Sequence, residues 1–449
     1  MLDMKHLLLA IGASLFLMLP PHIAAAEDNK KDNKEEKAVQ PLLEDFVAAL
    51  TDLLKNHNEI VASGIETQRL ELNSRVISKS RFPTLALKSS YGREDQVKPD
   101  ARNVLLNPRD FNLTLTMPIF DRALHHTVEQ VRLSVGQGSL VQKTTADRIL
   151  LEGIGAQIGL STSREVLELS QKSVQNIRNQ TELESAKVDK GSGLTSDLLQ
   201  AKTQLAGAQA RETQAQSGFQ LALNRYVAVF GNLPASHIPL DEIPVPISRI
   251  PADLDTAIEV ALSQSAQLGL QKTALEIAGR GVELSRAANF YPKLNLTMET
   301  KYKKNFGGTR GFARDSVAKL ELSLNFNTAG SAFDAHKGST KALMSASRQY
   351  DQATILITEQ VKNTWAQYEF AKANAQFLDN QAAISEEFLE LARKEQALGS
   401  RTLLDVLAGE TTYINAATDA FAAKGAVVQA AYTLLAIIGS LDLKIFELH

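Results

Sequence analysis

Two acidic residues follow two similar turns, one in each half of the chain. Asp405 ends the stretch Gly399-Ser-Arg-Thr-Leu-Leu-Asp405, and Asp197 ends the stretch Gly191-Ser-Gly-Leu-Thr-Ser-Asp197. The first glycine of each stretch can adopt positive φ and end a helix, and Thr402 can cap the helix that follows. A carboxylate in that position interacts with the helix N-terminus, which is worth about 0.5–1 kcal/mol. If further copies of the chain met there, their Asp405 carboxylates would instead repel one another and attract cations.

The remaining residues with reactive side chains predict no catalytic site and no metal site. The chain has 8 histidines, of which His125 and His126 are adjacent. Neighbours on a helix point about 100° apart, and no third ligand is spaced to join them, so we expect no metal ion there. Neither a phosphate-binding glycine loop nor a Gly-x-Ser-x-Gly motif is present in the sequence. We therefore predict neither an enzyme nor a cofactor.

Composition excludes several further classes of protein. The sequence has 0 cysteines, which rules out disulfides, thiol catalysis and a lipid anchor on cysteine. Its formal net charge is −3 and no basic stripe is visible, so no nucleic-acid partner is expected. Aromatic residues make up only 6% of the chain, while Ala and Gln are frequent, a composition typical of long helices in close contact.

The two turns divide long segments that have helical spacing. One segment runs from about residue 122 to 190 and returns to about 230, and the other runs from about 332 to 397 and returns to Gly439. In the second half a seven-residue repeat runs through Val361, Tyr368, Ala375, Ala382 and Leu389, with companion positions at Thr364, Ala371, Leu378, Ser385 and Ala392. About 70 residues give roughly 100 Å of helix. The side chains on this seam are mostly small, so one hairpin alone buries too little surface to be stable, and we expect further copies to complete it.

Four segments alternate with a period of two and predict strands, at 84–91, 111–119, 294–302 and 320–326. Each has an apolar and a polar side, as a strand needs when lipid lies on one side and water on the other. Four strands cannot close a barrel, and open edges are not tolerated in hydrocarbon, so a membrane sheet would need other copies of the chain. A water-soluble antiparallel sheet packed on helices would show the same alternation.

The order of these elements is duplicated, which predicts two fused copies of one domain. We expect a signal peptide over residues 1–26, because a basic start precedes an apolar run and Ala24-Ala25-Ala26. The expected parts that follow are a disordered N-terminus at 27–40, a first repeat at 41–232, a Pro-rich linker at 233–251, a second repeat at 252–441 and a short tail at 442–449.

Together the signal peptide, the duplicated units and the turn at Gly399 resemble the TolC family of outer-membrane efflux and type I secretion channels. The resemblance extends from about Leu42 to Leu441 and includes the strand end Thr116-Met-Pro-Ile-Phe-Asp121. It implies a mainly α fold with a membrane β part. In such a homotrimer, a 12-stranded outer-membrane β-barrel is continued by a periplasmic α-helical barrel. It also implies a passive exit duct that contacts outer-membrane lipid, a periplasmic adaptor (membrane fusion) protein and an inner-membrane transporter.

The same resemblance implies roles for residues at the turns. Asp405 corresponds to an acidic ring at the periplasmic constriction, and Arg401 to a basic residue that ties the second hairpin to Asp197 and Ser196 of the first. The sequence departs from the family pattern at Ala408, where a second acid is common, and at Gln396, where some members have a tyrosine. A soluble periplasmic coiled-coil adaptor or structural protein is the alternative, although adaptors usually carry a single hairpin flanked by lipoyl-like domains.

Overall fold

The computed structural model describes residues 43–97, 104–235, 237–325 and 329–443. The expected signal peptide, the expected disordered N-terminus, residues 444–449 of the tail and the strand end at 326 lie outside these ranges. Within the described residues, the helices are α1 (43–56), α2 (Asn58–Lys79), α3 (Arg122–Asp189), α4 (Thr195–Phe230), α5 (Leu254–Gln264), α6 (Ala266–Phe290), α7 (Ser331–Ala397) and α8 (Leu403–Ile438). The strands are β1 (Thr84–Tyr91), β2 (Glu94–Gln96), β3 (Val104–Leu106), β4 (Arg109–Phe120), β5 (Lys293–Lys304) and β6 (Phe312–Ser323).

The two halves of the chain contain the same series of elements. A short helix, a medium helix, a strand, a second strand, a very long helix and a 36-residue helix follow one another in each half. The long helices α3 and α7 have 68 and 67 residues and are therefore each roughly 100 Å long. Each 36-residue helix is followed at once by a glycine with φ of +79°, Gly231 after α4 and Gly439 after α8. In the first half the small hairpin β2–β3 is an insertion that the alternation did not predict.

The four long strands form one antiparallel sheet in the order β1-β4-β5-β6. Its register places Leu85 opposite Leu115, Leu115 opposite Met298 and Met298 opposite Ala318, so the apolar residues of all four strands share one face. The opposite face is polar and internally bonded: Asn112 Nδ2 donates to Glu299 Oε1 over 2.8 Å, and Lys301 Nζ lies 2.7 Å from Glu299 Oε2.

One predicted strand was displaced. The alternation placed the fourth strand at 320–326, whereas β6 begins at Phe312 and ends at Ser323. Its first half carries Arg314 and Ser316 on the same face as Ala318, which hides the alternation in the sequence. Arg314 is stable on this face because its guanidinium lies 5.6 Å from the centre of the Tyr302 ring, an attractive cation–π contact.

The helices pack side by side, with α3 in the middle. Near the sheet, α2 and α6 lie on the two sides of α3, and α6 also contacts α7. Towards the turns, α4 and α8 take the corresponding places, and α8 contacts α7. The order is therefore α2 or α4, then α3, then α6 or α8, then α7, which leaves α7 on one border and α2 and α4 on the other. The predicted seam is the buried face of α7, because Val361, Tyr368 and Leu389 are all buried.

The largest hydrophobic core lies midway along the long helices, where α1, α5 and the Pro-rich segment pack on them. Ile238, Leu240 and Ile243 of that segment are buried in this core. Its backbone is held by two hydrogen bonds: Ser161 Oγ donates to the Ile238 carbonyl over 2.6 Å, and Tyr432 Oη donates to the Pro244 carbonyl over 2.7 Å. By length and composition α8 could cross a membrane, but 44% of its most apolar window is buried against the rest of the chain.

Candidate functional site

The turns that join α3 to α4 and α7 to α8 have the same backbone hydrogen bonds. Gly191 has φ of +74° and Gly399 has φ of +77°. Each glycine N–H donates to the carbonyl three residues earlier over 2.9 Å, and the serine that follows, Ser192 or Ser400, donates to the carbonyl five residues earlier over 2.9 or 3.0 Å. These two backbone hydrogen bonds together form the Schellman motif, which needs a residue with positive φ and therefore favours glycine. Gly191 and Gly399 thus take the same place in two turns of the same backbone geometry.

The second turn has a side-chain cap. Thr402 Oγ1 accepts a hydrogen bond from the Asp405 backbone N–H over 3.3 Å, and its hydroxyl donates to Asp405 Oδ2 over 2.7 Å. The Asp405 carboxylate therefore holds the capping hydroxyl, whereas a capping-box acid would accept from the backbone N–H of residue 402. Asp405 itself is exposed, as is Ala408 one turn further along the same helix.

The first turn differs at the two corresponding positions. Leu194 replaces the threonine and makes no side-chain cap, and Gly193 replaces Arg401. A side chain would not fit at Gly193, because a Cβ atom there would lie 2.9 Å from the Val188 backbone nitrogen. Asp197 accepts a hydrogen bond from the neighbouring Ser196 hydroxyl over 3.2 Å. At this position only the second turn therefore carries a basic side chain.

Arg401 does not meet Asp197 within this chain. Its Nε lies 2.8 Å from Glu395 Oε2 on the preceding helix, and its guanidinium lies 5.0 Å from the centre of the Phe388 ring. Gln396 is half-buried, and its carbonyl accepts the Gly399 N–H. The expected bond between Arg401 and the Asp197 turn, which would join the second hairpin to the first, remains a prediction.

The first turn of α8 joins the two hairpins through apolar side chains. Leu403 and Leu407 pack with Val174 and Ile177 of α3 and with two alanines of α4, that is, with the first hairpin. Val406 points the other way and packs with Leu389 and Ala392 of α7. The helix that begins at Thr402 is therefore wedged between α3 and α7, and a movement of its tip must disturb one of these two contacts.

One turn further along α8 lies a buried carboxylate that the sequence analysis missed. Glu410 is only 4% exposed; its Oε1 accepts a hydrogen bond from Asn176 Nδ2 over 3.0 Å, and its Oε2 accepts one from Arg393. Asn176 belongs to α3 and Arg393 to α7, so this carboxylate bonds three helices together. Its seven-residue spacing from Leu403 was the available signal, since it places an acid on an apolar stripe.

A tyrosine beside this group stays protonated. Burial and then the hydrogen bond that Tyr413 donates to Glu386 over 3.1 Å raise the pKa of Tyr413 to about 12. The phenol is therefore a donor at any physiological pH, and it adds a second polar bond between α7 and α8. A third is the ion pair between Lys424 Nζ and Asp379 Oδ1, at 2.9 Å.

Comparison with known proteins identifies the family. The sequence profile of the family described as "Outer membrane efflux protein" matches residues 49–232 and again residues 257–440. The chain belongs to this family. Both matched segments end at the glycine-terminated 36-residue helices, so each contains one complete hairpin with its turn. Family membership makes the chain an outer-membrane channel that serves as an exit duct in efflux or secretion, and it gives no support to the soluble adaptor considered as an alternative.

Curated relatives and solved structures agree with this assignment. The chain is 24% identical over 359 residues to the alkaline protease secretion protein AprF of Pseudomonas aeruginosa, covering 76% of this chain and 73% of AprF. It is 23% identical to the outer membrane efflux protein BepC of Brucella suis biovar 1, covering 65% of this chain and 63% of BepC.

Solved structures show the same fold. The chain matches CusC with a TM-score of 0.77 at 16% identity, covering 89% of this chain and 92% of that one. It matches the CmeC outer membrane channel of Campylobacter jejuni with a TM-score of 0.74 at 14% identity, covering 89% and 88% of the two chains. The open state of the MtrE outer membrane channel of Neisseria gonorrhoeae matches with a TM-score of 0.74 at 17% identity, covering 88% of each.

Proposed function

We propose that three copies of this chain assemble into one duct, with a 12-stranded barrel in the outer membrane and a helical barrel in the periplasm. The supporting observation is that the sheet and the row of helices both end, within the described chain, in edges that have a neighbour on one side only. Strands β1 and β6 are the two borders of the sheet and each has one neighbouring strand in the described chain. Open strand edges cannot remain in hydrocarbon, so β6 of one copy must pair with β1 of the next.

The helical layer supports the same assembly. On the border helix α7, Phe370, Phe377, Ile384 and Leu391 recur every seven residues and are each more than half exposed. A seven-residue apolar stripe is the pattern that packs against a neighbouring helix in a coiled-coil manner. In the ring, this stripe faces α2 and α4 of the next copy, where Leu72, Leu199 and Leu221 are exposed.

The turns form the periplasmic entrance of this duct, and the residues there form its gate. Three exposed Asp405 side chains, one per copy, line the narrowest point and attract cations. Arg401 holds the second hairpin closed by bonding to Asp197 and Ser196. The hairpins of a periplasmic adaptor dock at the turns and move the second hairpin outwards, while an inner-membrane transporter supplies the energy.

Conductance in planar lipid bilayers tests the channel and its gate together. The double variant Arg401→Ala with Asp197→Ala is expected to conduct more than wild type, because it removes the bond between the hairpins. Glu395→Ala is the matched control: it removes only the partner that Arg401 has within its own hairpin, and it should leave the conductance low. Equal opening by Glu395→Ala would show that Arg401 acts through its own hairpin and that the proposed gate is wrong.

The acidic ring has a separate test. Asp405→Ala should weaken block by multivalent cations added on the periplasmic side, since three carboxylates leave the entrance. Glu359→Ala, an exposed acid in the middle of α7, makes the same change of charge away from the turns and should leave the block unchanged. Unchanged block in Asp405→Ala would remove this residue from the constriction. Crosslinking in detergent checks the trimer independently, and a monomer would refute the assembly.

A further inference from the structure

A cluster of three potential metal ligands lies at the start of α3, far along the chain from the turns. Among the described residues, His125, His126 and Glu129 bring their ligand atoms within 4.8 Å of one another. His125 Nε2 lies 3.3 Å from Glu129 Oε1, and His126 Nδ1 lies 3.6 Å from Glu129 Oε2. Ligands at about 2.0–2.1 Å from a tetrahedral metal ion are separated by about 3.3 Å, so these distances suit a common ion.

Helix geometry explains the cluster and corrects the expectation from sequence. The two histidines point about 100° apart, which seemed to leave them without a third ligand. Glu129 is three residues after His126 and four after His125, and at 3.6 residues per turn it projects between them. The third ligand was therefore present one helical turn further on, within the same short stretch His-His-Thr-Val-Glu.

An independent observation is the lack of hydrogen bonds around His126. This side chain is 9% exposed, and neither of its ring nitrogens has a hydrogen-bond partner among the described residues. Glu129 Oε2 is also buried without a hydrogen bond within the described part of the chain. Leaving a buried polar group unsatisfied costs about 1–3 kcal/mol, so buried imidazoles normally have a partner. A metal ion at Nδ1 supplies such a partner for the buried imidazole of His126.

The neighbouring cations are compatible with an ion in this place. Arg280 Nη1 of α6 lies 3.2 Å from Glu129 Oε2, and its side chain is 48% exposed. It can hold Oε2 while Oε1 binds the ion, the kind of outer contact that ligating carboxylates usually have. Arg81 Nη2 lies 3.3 Å from His125 Nδ1 and is exposed, so this guanidinium can turn to solvent when Nε2 takes the ion and Nδ1 carries the proton.

From this geometry we infer that His125, His126 and Glu129 bind a divalent transition-metal ion of the Zn²⁺ class at the junction of the sheet and the helices. Two imidazoles and one carboxylate are a ligand set that Zn²⁺ accepts, with a fourth position open to water. His125 is 57% exposed, which gives the ion a path from solvent. The cap of α3, where Asp121 Oδ1 accepts the Leu124 N–H over 2.9 Å, fixes this first helical turn in place.

Metal titration of the full-length protein in detergent, purified without a histidine tag, tests the site. Zn²⁺ is the probe for stoichiometry and Co²⁺ is the probe for geometry. Wild type should retain one Zn²⁺ per chain, and its Co²⁺ form should show the strong visible absorption of a four-coordinate ion. His125→Ala and Glu129→Gln should lose at least about tenfold in affinity, since even the loss of an outer partner costs 10–100-fold.

The matched control is His237→Ala. His237 Nε2 lies 4.0 Å from Glu165 Oε1, so it is also a histidine beside a glutamate, but without a second histidine. This variant should bind Zn²⁺ as wild type does. Far-UV circular dichroism checks that all variants are folded, and both test substitutions are at partly exposed side chains. Absence of a stoichiometric ion in wild type, or unchanged affinity in His125→Ala and Glu129→Gln, overturns the assignment.

Discussion

The buried Glu410 predicts an asymmetry between two substitutions that break the same ion pair. In Arg393→Ala the Glu410 carboxylate, which is 4% exposed in the intact chain, loses its cationic partner and retains only the bond from Asn176. In Glu410→Gln the charge is removed from the buried member of the ion pair. Arg393, whose side chain is 40% exposed, can then be hydrated. The Asn176 amide can still donate to the glutamine carbonyl oxygen. The arginine substitution should therefore be the more damaging of the two.

The magnitudes follow from burial. Removing one partner of a buried pair costs about 3–5 kcal/mol when the remaining charge is sealed from water. Because Arg393 leaves a cleft that water can enter, we expect about 2–3 kcal/mol for Arg393→Ala. Glu410→Gln loses one charge-assisted bond to a partly exposed partner and should cost about 1 kcal/mol.

Thermal unfolding, followed by circular dichroism of the helices in detergent, measures this difference. Arg348→Ala on the same helix is the control, because Arg348 is 88% exposed and its pair with Asp351, at 3.5 Å, is on the surface. It should change stability by less than about 0.5 kcal/mol. The reasoning fails if Arg393→Ala is no more damaging than Arg348→Ala, or if Glu410→Gln costs as much as Arg393→Ala.

Three further predictions concern the helix ends and one carboxyl group. Gly439→Ala should lower the unfolding temperature more than Gly231→Ala: both have φ of +79°, but only at Gly439 would a Cβ lie 2.6 Å from the last carbonyl oxygen of α5. Thr402→Ala should cost about 1 kcal/mol, and Thr195→Ala, which removes no cap, should cost less in the same unfolding assay.

Burial raises the pKa of Asp147 to about 6, Lys143 opposes this, and Asp442 adds to it. Folded protein therefore binds more protons at this group than unfolded protein, so the fold loses stability as the pH rises toward 6, and the loss is complete above that pH. At pH 7.5 Asp147→Asn should be more stable than wild type by about 1 kcal/mol, a value that is reduced because the side chain is partly exposed. Thermal unfolding measured at pH 4 should show almost no difference between the two proteins.

The sequence was informative wherever a local rule decides the structure. Gly191 and Gly399 were recognisable because only a residue that tolerates positive φ completes those turns. The apolar faces of β4 and β5 were recognisable from strict alternation. The position of β6 was predicted too late in the chain because Arg314 interrupts its apolar face. Arg314 contacts Tyr302 on the neighbouring strand, and the sequence of β6 alone does not indicate this contact.

Contacts between distant segments were beyond the reach of spacing alone. Glu410 accepts hydrogen bonds from Asn176 and Arg393, which belong to two other helices. The sequence of α8 alone does not indicate that these two donors lie beside the carboxylate. Arg401 pairs with Glu395 across the turn, where helical spacing does not apply. Glu129 is different, because helix geometry alone places it between His125 and His126, and a count of the positions one turn ahead would have found it.

The ends of the described chain meet in one place. Leu43 and Phe46 of α1 pack in the same mid-helix core as Leu441 and Leu443, away from both the sheet and the turns. In the proposed trimer, three copies can therefore be joined head to tail by linkers that stay at this level, away from the bilayer and from the entrance. In such a linked trimer, Asp405 could be replaced in one, two or all three copies. The number of carboxylates needed in the proposed ring could then be determined one charge at a time.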